Sequence, residues 1–181
     1  MNEAHRLLRE GTADCHARVD AAFGGFDLSS PDGYRNFLTA QARAFLPIEE
    51  VLDSAGAEEL LPDWPERKRG NALISDLYCL KVHIPTPCPV PKVSSRAAMW
   101  GLIYVLEGSR LGGQMLKRSL APELPQAFLG HQIDRGAWRT LLDRIDHALT
   151  GPADRTTALE AARATFSVFE EAACRAKAQT A

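Results

Sequence analysis

Apolar positions recur every three or four residues along almost the whole chain, the spacing of amphipathic helices. Leu8, Thr12, His16, Val19 and Phe23 share one stripe and predict a first helix over residues 3–22, with Cys15 beside the stripe and His16 turned toward the core. Ser30 followed by Pro31 reads as an N-cap with proline at the first helical position. Tyr34, Phe37, Leu38, Gln41, Phe45, Ile48 and Leu52 carry that helix to about residue 54, with Pro47 expected to kink it. A short segment from residue 58 is broken by Pro62 and Pro65, and another helix is predicted over residues 66–80. Prolines 85, 87, 89 and 91 make residues 84–91 an extended connector. Ser94 or Ser95 caps the helix after it, and Trp138, Leu141, Leu142, Ile145 and Leu149 mark a helix over residues 134–149. Gly151–Pro152 ends that helix, and Asp154 is expected to cap a last one reaching about residue 176. Strand-like alternation of useful length is missing throughout. The predicted fold is all-α, about six to eight helices in a single globular domain over residues 1–181.

One stretch departs from the ordinary helical pattern. Residues 100–120 read as helix yet contain Gly101, Gly108, Gly112 and Gly113, each costing roughly 1 kcal/mol against alanine in a helix interior. Positions 101, 105, 108 and 112 fall on one face, which is therefore nearly bare backbone. Such a face suits either close packing of a second helix or a flat ligand lying against the main chain, and spacing alone leaves both readings open.

Composition narrows the class. In 181 residues, 45% hydrophobic and 24% charged, there is enough apolar surface for a sizeable core, and disorder is not indicated. A formal charge of −2 offers no basic field for nucleic-acid phosphates. The longest apolar run, residues 99–106, is far too short to span a bilayer, and charges interrupt the N-terminal region where a signal peptide would need an apolar segment. A cytoplasmic protein without nucleic-acid or membrane partners is expected. Cys15, Cys79, Cys88 and Cys174 are dispersed, without zinc-site spacing, and are expected to be reduced thiols.

Among candidate ligands, His16 has Asp20 four residues on, one turn away on the same side. A carboxylate there can accept the Nδ1 proton and leave Nε2 for a metal. Arg9 lies two turns before His16, where a cation could meet an anionic ligand edge. Cys88–Pro89 is a dipeptide that in some proteins presents a thiolate to heme.

Two stretches, LREGTADCHARVD (8–20) and YVLEGSRLGGQML (104–116), together resemble the heme oxygenase family. The family's first helix holds a histidine with an acidic residue four positions later, and its distal helix has a GxxxGG core. His16, Asp20, Gly108, Gly112 and Gly113 occupy those positions. The form YVLEGS with LGG resembles the bacterial branch associated with phytochromes, and YRNFLTAQARAFLPIEEVL (34–52) has the family's look as well.

The resemblance implies heme held between the first helix and the glycine-rich distal helix, with His16 as axial ligand of the iron and Arg9 facing the propionates. It implies oxidative opening of heme to biliverdin with release of iron and carbon monoxide. Dioxygen is then the co-substrate, and electrons come from an external reductase or ferredoxin, since no flavin or nicotinamide motif is present. A bacteriophytochrome is the implied receiver of biliverdin. Ser109 stands where animal members have an aspartate that organises distal water, and a hydroxyl cannot supply that charge. Tyr104 falls one position from a family tyrosine. The alternatives are a heme carrier or sensor of the same fold, which Ser109 would favour, and a di-iron oxygenase, disfavoured because none of the five histidines has glutamate three residues before it.

Overall fold

A computed structural model describes residues 3–134 and 136–179. Its helices are α1 (Glu3–Gly11), α2 (Ala13–Phe23), α3 (Pro31–Ser54), α4 (Ala57–Leu60), α5 (Trp64–Arg67), α6 (Gly70–Cys79), α7 (Arg96–Leu116), α8 (Ala127–Gly130), α9 (Ala137–Ala148) and α10 (Pro152–Ala178), with a 3₁₀ turn at Lys117–Ser119. Among the described residues there is no strand, as the periodicity predicted, and no helix is long and apolar enough to cross a membrane.

Helix starts encoded by neighbouring residues form as expected. Ser30 accepts the Gly33 N–H at 3.1 Å with Pro31 in the first turn, and Ser95 accepts from Ala98 at 3.2 Å. Helix α3 runs through Pro47, which lacks the N–H that would bond the Arg43 carbonyl. The connector supplies the missing donor: Cys88 N–H reaches the Arg43 carbonyl at 2.8 Å, and Arg43 Nη1 donates to the Thr86 carbonyl at 2.7 Å. Cys88 is consequently buried, and burial pushes its thiol up, so it does not present the thiolate considered for heme. All four cysteines are free.

Several boundaries shift, each for a tertiary reason. The first helix divides at Thr12, whose hydroxyl donates to the Leu8 carbonyl at 2.7 Å. There Gly11 lies so near α10 that a Cβ would meet the Leu159 side chain. Helix α6 begins at Gly70 rather than Glu66 because the buried Glu49 carboxylate accepts the Arg69 and Gly70 N–H groups at 2.7 and 2.9 Å. Asp76 holds the unforeseen α8 in the same way, accepting from Ala127 and Phe128 at 3.0 and 2.9 Å. Gly151, not Asp154, caps α10, with Pro152 in its first turn. The helix expected from Asp134 begins at Ala137, and Arg135 lies outside the described residues. Helix α10 is the central element, packing on α7, α3 and α2, and α1 and α9 close one end against each other.

Candidate functional site

The glycines of α7 separate into two environments. A Cβ at Gly101 would run into the Ala158 carbonyl and would crowd Ala161 and Ala162 at 3.0 Å, so this glycine permits close packing on α10. At Gly108 a Cβ would meet only the Trp138 ring edge at 3.6 Å, and at Gly112 nothing within 4 Å. Gly113 is buried and faces Leu129 at 3.5 Å. Past Gly108 the helix also carries Leu111, Met115 and Leu116, all exposed although apolar.

His16 is 62% exposed at its side chain, not turned into the core as its stripe predicts. Helix α2 buries only Phe23, leaving Cys15 and Val19 half-buried and His16 at the rim with its ring edge-on to Phe166 at 5.8 Å. The expected carboxylate contact forms: Nδ1 lies 2.9 Å from Asp20 Oδ2. With that proton donated to Asp20, Nε2 keeps its lone pair.

Tyr104 joins the first helices to the glycine helix. Its side chain lies beside that of Thr12, one turn before His16, and it sits one turn before Gly108. Its ring also meets His5 at 6.5 Å and Trp138 at 5.7 Å. Burial raises the Tyr104 pKa, partly offset by the charge of Arg9. Burial lowers that of His5, where Arg9 pushes the same way. Arg9 therefore lies near enough for its charge to act on both Tyr104 and His5.

The opposite side of α7 carries a buried ionic network that sequence reasoning missed. Glu107, 4% exposed, receives Arg67 Nη1 at 2.7 Å on one oxygen and Arg110 Nη2 at 2.6 Å on the other. Arg67 also holds Asp63 through Nε and Nη2 at 2.9 and 2.7 Å, and Arg110 reaches the Arg67 carbonyl at 2.8 Å and His131 Nδ1 at 2.9 Å. Since an arginine can only donate, His131 must accept at Nδ1 and be neutral, and burial followed by the charge of Arg110 lowers its pKa accordingly. Ser109 is tied to this side: its hydroxyl donates to the Leu106 carbonyl at 2.7 Å and accepts from Arg69 Nη2 at 2.8 Å. A signal was present, because Glu107 and Arg110 continue the face of Trp100 and Ile103 on an otherwise apolar helix. A cavity of about 490 Å³ opens beside this network, between Arg110, Leu111, Gln114, Lys117 and Trp138.

No protein-family model matches the chain. Its all-helical fold is that of solved heme oxygenases. The NO- and CO-bound heme oxygenase of Neisseria meningitidis superposes with a TM-score of 0.82 at 22% identity, covering 97% of this chain and 92% of that one. The heme oxygenase of Leptospira interrogans superposes with a TM-score of 0.74 at 20% identity, covering 97% of this chain and 100% of that one. In sequence, the heme oxygenase of Xanthomonas campestris pv. campestris (strain 8004) is 32% identical over 146 residues, which span 76% of this chain and 87% of that protein. The chain belongs to the heme oxygenase family.

Proposed function

We propose that this heme oxygenase binds heme with His16 as axial ligand and the Gly108–Gly112 backbone against the opposite face, within one domain over residues 1–181. It converts heme to biliverdin, with release of iron and carbon monoxide. The bound heme supplies the iron at which dioxygen is reduced, and an external reductase or ferredoxin supplies the electrons. The observation that carries the reading is the bare face at Gly112, where a Cβ would meet nothing within 4 Å, together with Gly108, where it would meet only the Trp138 ring edge at 3.6 Å, so that helix propensity is given up without a close backbone contact to require it.

The residues fit the group. An imidazole with Nδ1 committed to Asp20 offers one neutral donor at Nε2. The glycine backbone and the exposed apolar side chains beyond it suit a flat apolar ring. Arg9 supplies a guanidinium for a propionate, beside the half-buried Tyr104. Gly113, packed on Leu129, seats the end of the platform. The part of this chain is to orient the ring, shield all but one meso edge, and hold water near Ser109, whose hydroxyl is already engaged with Arg69 and Leu106. Family membership favours turnover over a carrier role. The YVLEGS and LGG forms support a phytochrome-associated member working in the cytoplasm, with a bacteriophytochrome as receiver of biliverdin.

Heme reconstitution followed by reductant in air tests the whole reading: the Soret band should decay into a biliverdin spectrum. His16→Ala should abolish the native ferric spectrum or yield one restored by added imidazole. An unchanged spectrum and affinity in that variant would remove His16 from the site.

A further inference from the structure

Behind the open face, a buried guanidinium grips the backbone of α7. Arg69 is 3% exposed, and its Nη2 donates to the Leu106 carbonyl at 2.6 Å and to Ser109 Oγ at 2.8 Å. Ser109 Oγ donates to the same carbonyl at 2.7 Å. In a regular helix that carbonyl serves the N–H of residue 110, so two further donors converge on one rung of the ladder. Side-chain donors inserted at a rung lengthen its helical bond and bend the helix there. Leu106 lies directly ahead of the segment that begins at Gly108.

The gripping side chain rests on two aromatic rings. The Arg69 guanidinium carbon stands 4.6 Å from the Phe45 ring centre and 5.2 Å from that of Phe128. Its backbone N–H is fixed by Glu49. Burial, reinforced by Arg110, pulls the Arg69 pKa down to about 9, which still leaves a cation at neutral pH. Its Nε is buried without a hydrogen-bond partner among the described residues. An apolar side chain packed on the two rings would fill the same space without burying a charge, so packing does not account for the guanidinium. What the charge and the fork add is the contact with Leu106 and Ser109.

We propose that Arg69 is a positioning residue for the glycine platform: by clamping the Leu106 carbonyl and the Ser109 hydroxyl it fixes the course of α7 ahead of Gly108–Gly113, and thereby which heme edge the bare backbone shields. The proposal rests on the platform reading given above. Ser109 then works as part of the clamp, its proton directed at Leu106 rather than toward the platform.

Hydrogen exchange on the heme-free, full-length protein tests the clamp without any turnover. In Arg69→Met the amides of residues 108–113 should exchange about tenfold faster while those of α3 and α10 keep their wild-type rates. Arg69→Lys, which can still donate to Leu106, should recover part of the protection, and Ser109→Ala should lose less than Arg69→Met. In heme-loaded protein, Arg69→Met should retain the Soret band yet shift the biliverdin isomer ratio, with Arg69→Lys between it and wild type. Unchanged exchange at 108–113, or faster exchange spread evenly over all helices, would overturn the clamp; altered exchange with an unchanged isomer ratio would overturn its positioning of the platform. If Arg69→Met does not fold, Arg69→Lys and Ser109→Ala carry the same comparison. Should the wild-type protein take up no heme, the platform reading fails, while the exchange result still decides whether the clamp exists.

Discussion

At Gly101, α7 runs so close to α10 that an added methyl would strike the Ala158 carbonyl, whereas three turns on, at Gly112, the same methyl would meet nothing within 4 Å. The two positions share a residue type and a helix face but not a physical cause. The first half of α7 is bare because another backbone occupies the space. The second half is bare on one side and, on its other side, is fixed by Glu107 and Arg110 to Arg67 and His131. A face that stays open cannot be steadied from that side, so its anchorage comes from the other. Glycines that permit helix packing and glycines that keep a face open are therefore separable by what a Cβ would touch, though not by spacing.

The contrast can be broken most forcefully at Glu107. Glu107→Ala leaves Arg67 and Arg110 buried without their shared carboxylate and should cost about 3–5 kcal/mol, read from denaturant unfolding of heme-free protein. A loss under about 1 kcal/mol would mean that the open half is not anchored by this network. Next comes Gly101→Ala, whose Cβ would press on main chain that cannot rotate away; the expected loss is about 1–3 kcal/mol. Gly112→Ala should have the opposite sign, stabilising heme-free protein by up to about 1 kcal/mol while slowing ring opening in a single-turnover assay. If these two variants destabilise equally and ring opening stays normal, the distinction between the halves collapses.

The smallest effect concerns His131. Its folded pKa lies below the ordinary 6.5, so on acidification the unfolded chain takes up the proton first. Stability should therefore fall as pH drops from about 6.5 toward the lowered folded value. His131→Gln should flatten part of that slope in a series of melting temperatures. The remainder should persist, because His5 is shifted in the same direction.

Elements whose instructions are local were legible in the sequence. Ser30 with Pro31, and Ser95, start their helices as read, since a cap and its N–H partner sit three residues apart. The start of α6 was not legible, because the acceptor that sets it, Glu49, sits on another helix. Helix α8 likewise depends on Asp76. For the site, the bare glycines and the His16–Asp20 contact could be read from spacing. The exposure of His16 could not, because it depends on which face of α2 is laid against α10. Arg67 and Arg69 flank Lys68 in a triplet that resembles solvated surface, and only the Asp63 and Glu107 carboxylates brought against Arg67, and the Leu106 carbonyl and Ser109 hydroxyl brought against Arg69, allow the two arginines to be buried.

The bond from Cys88 to the carbonyl left over by Pro47 makes a mechanical unit of two segments that are distant in sequence. A proline-rich connector without internal hydrogen bonds would ordinarily move independently of its neighbours on the nanosecond scale. Here the missing rung in α3 acts as a mooring point, and the Arg43 side chain adds a second line to Thr86. The path from α6 to α7 is thus tethered midway. Only the short span between Cys88 and Ser95 then joins the mooring point to the start of the glycine helix.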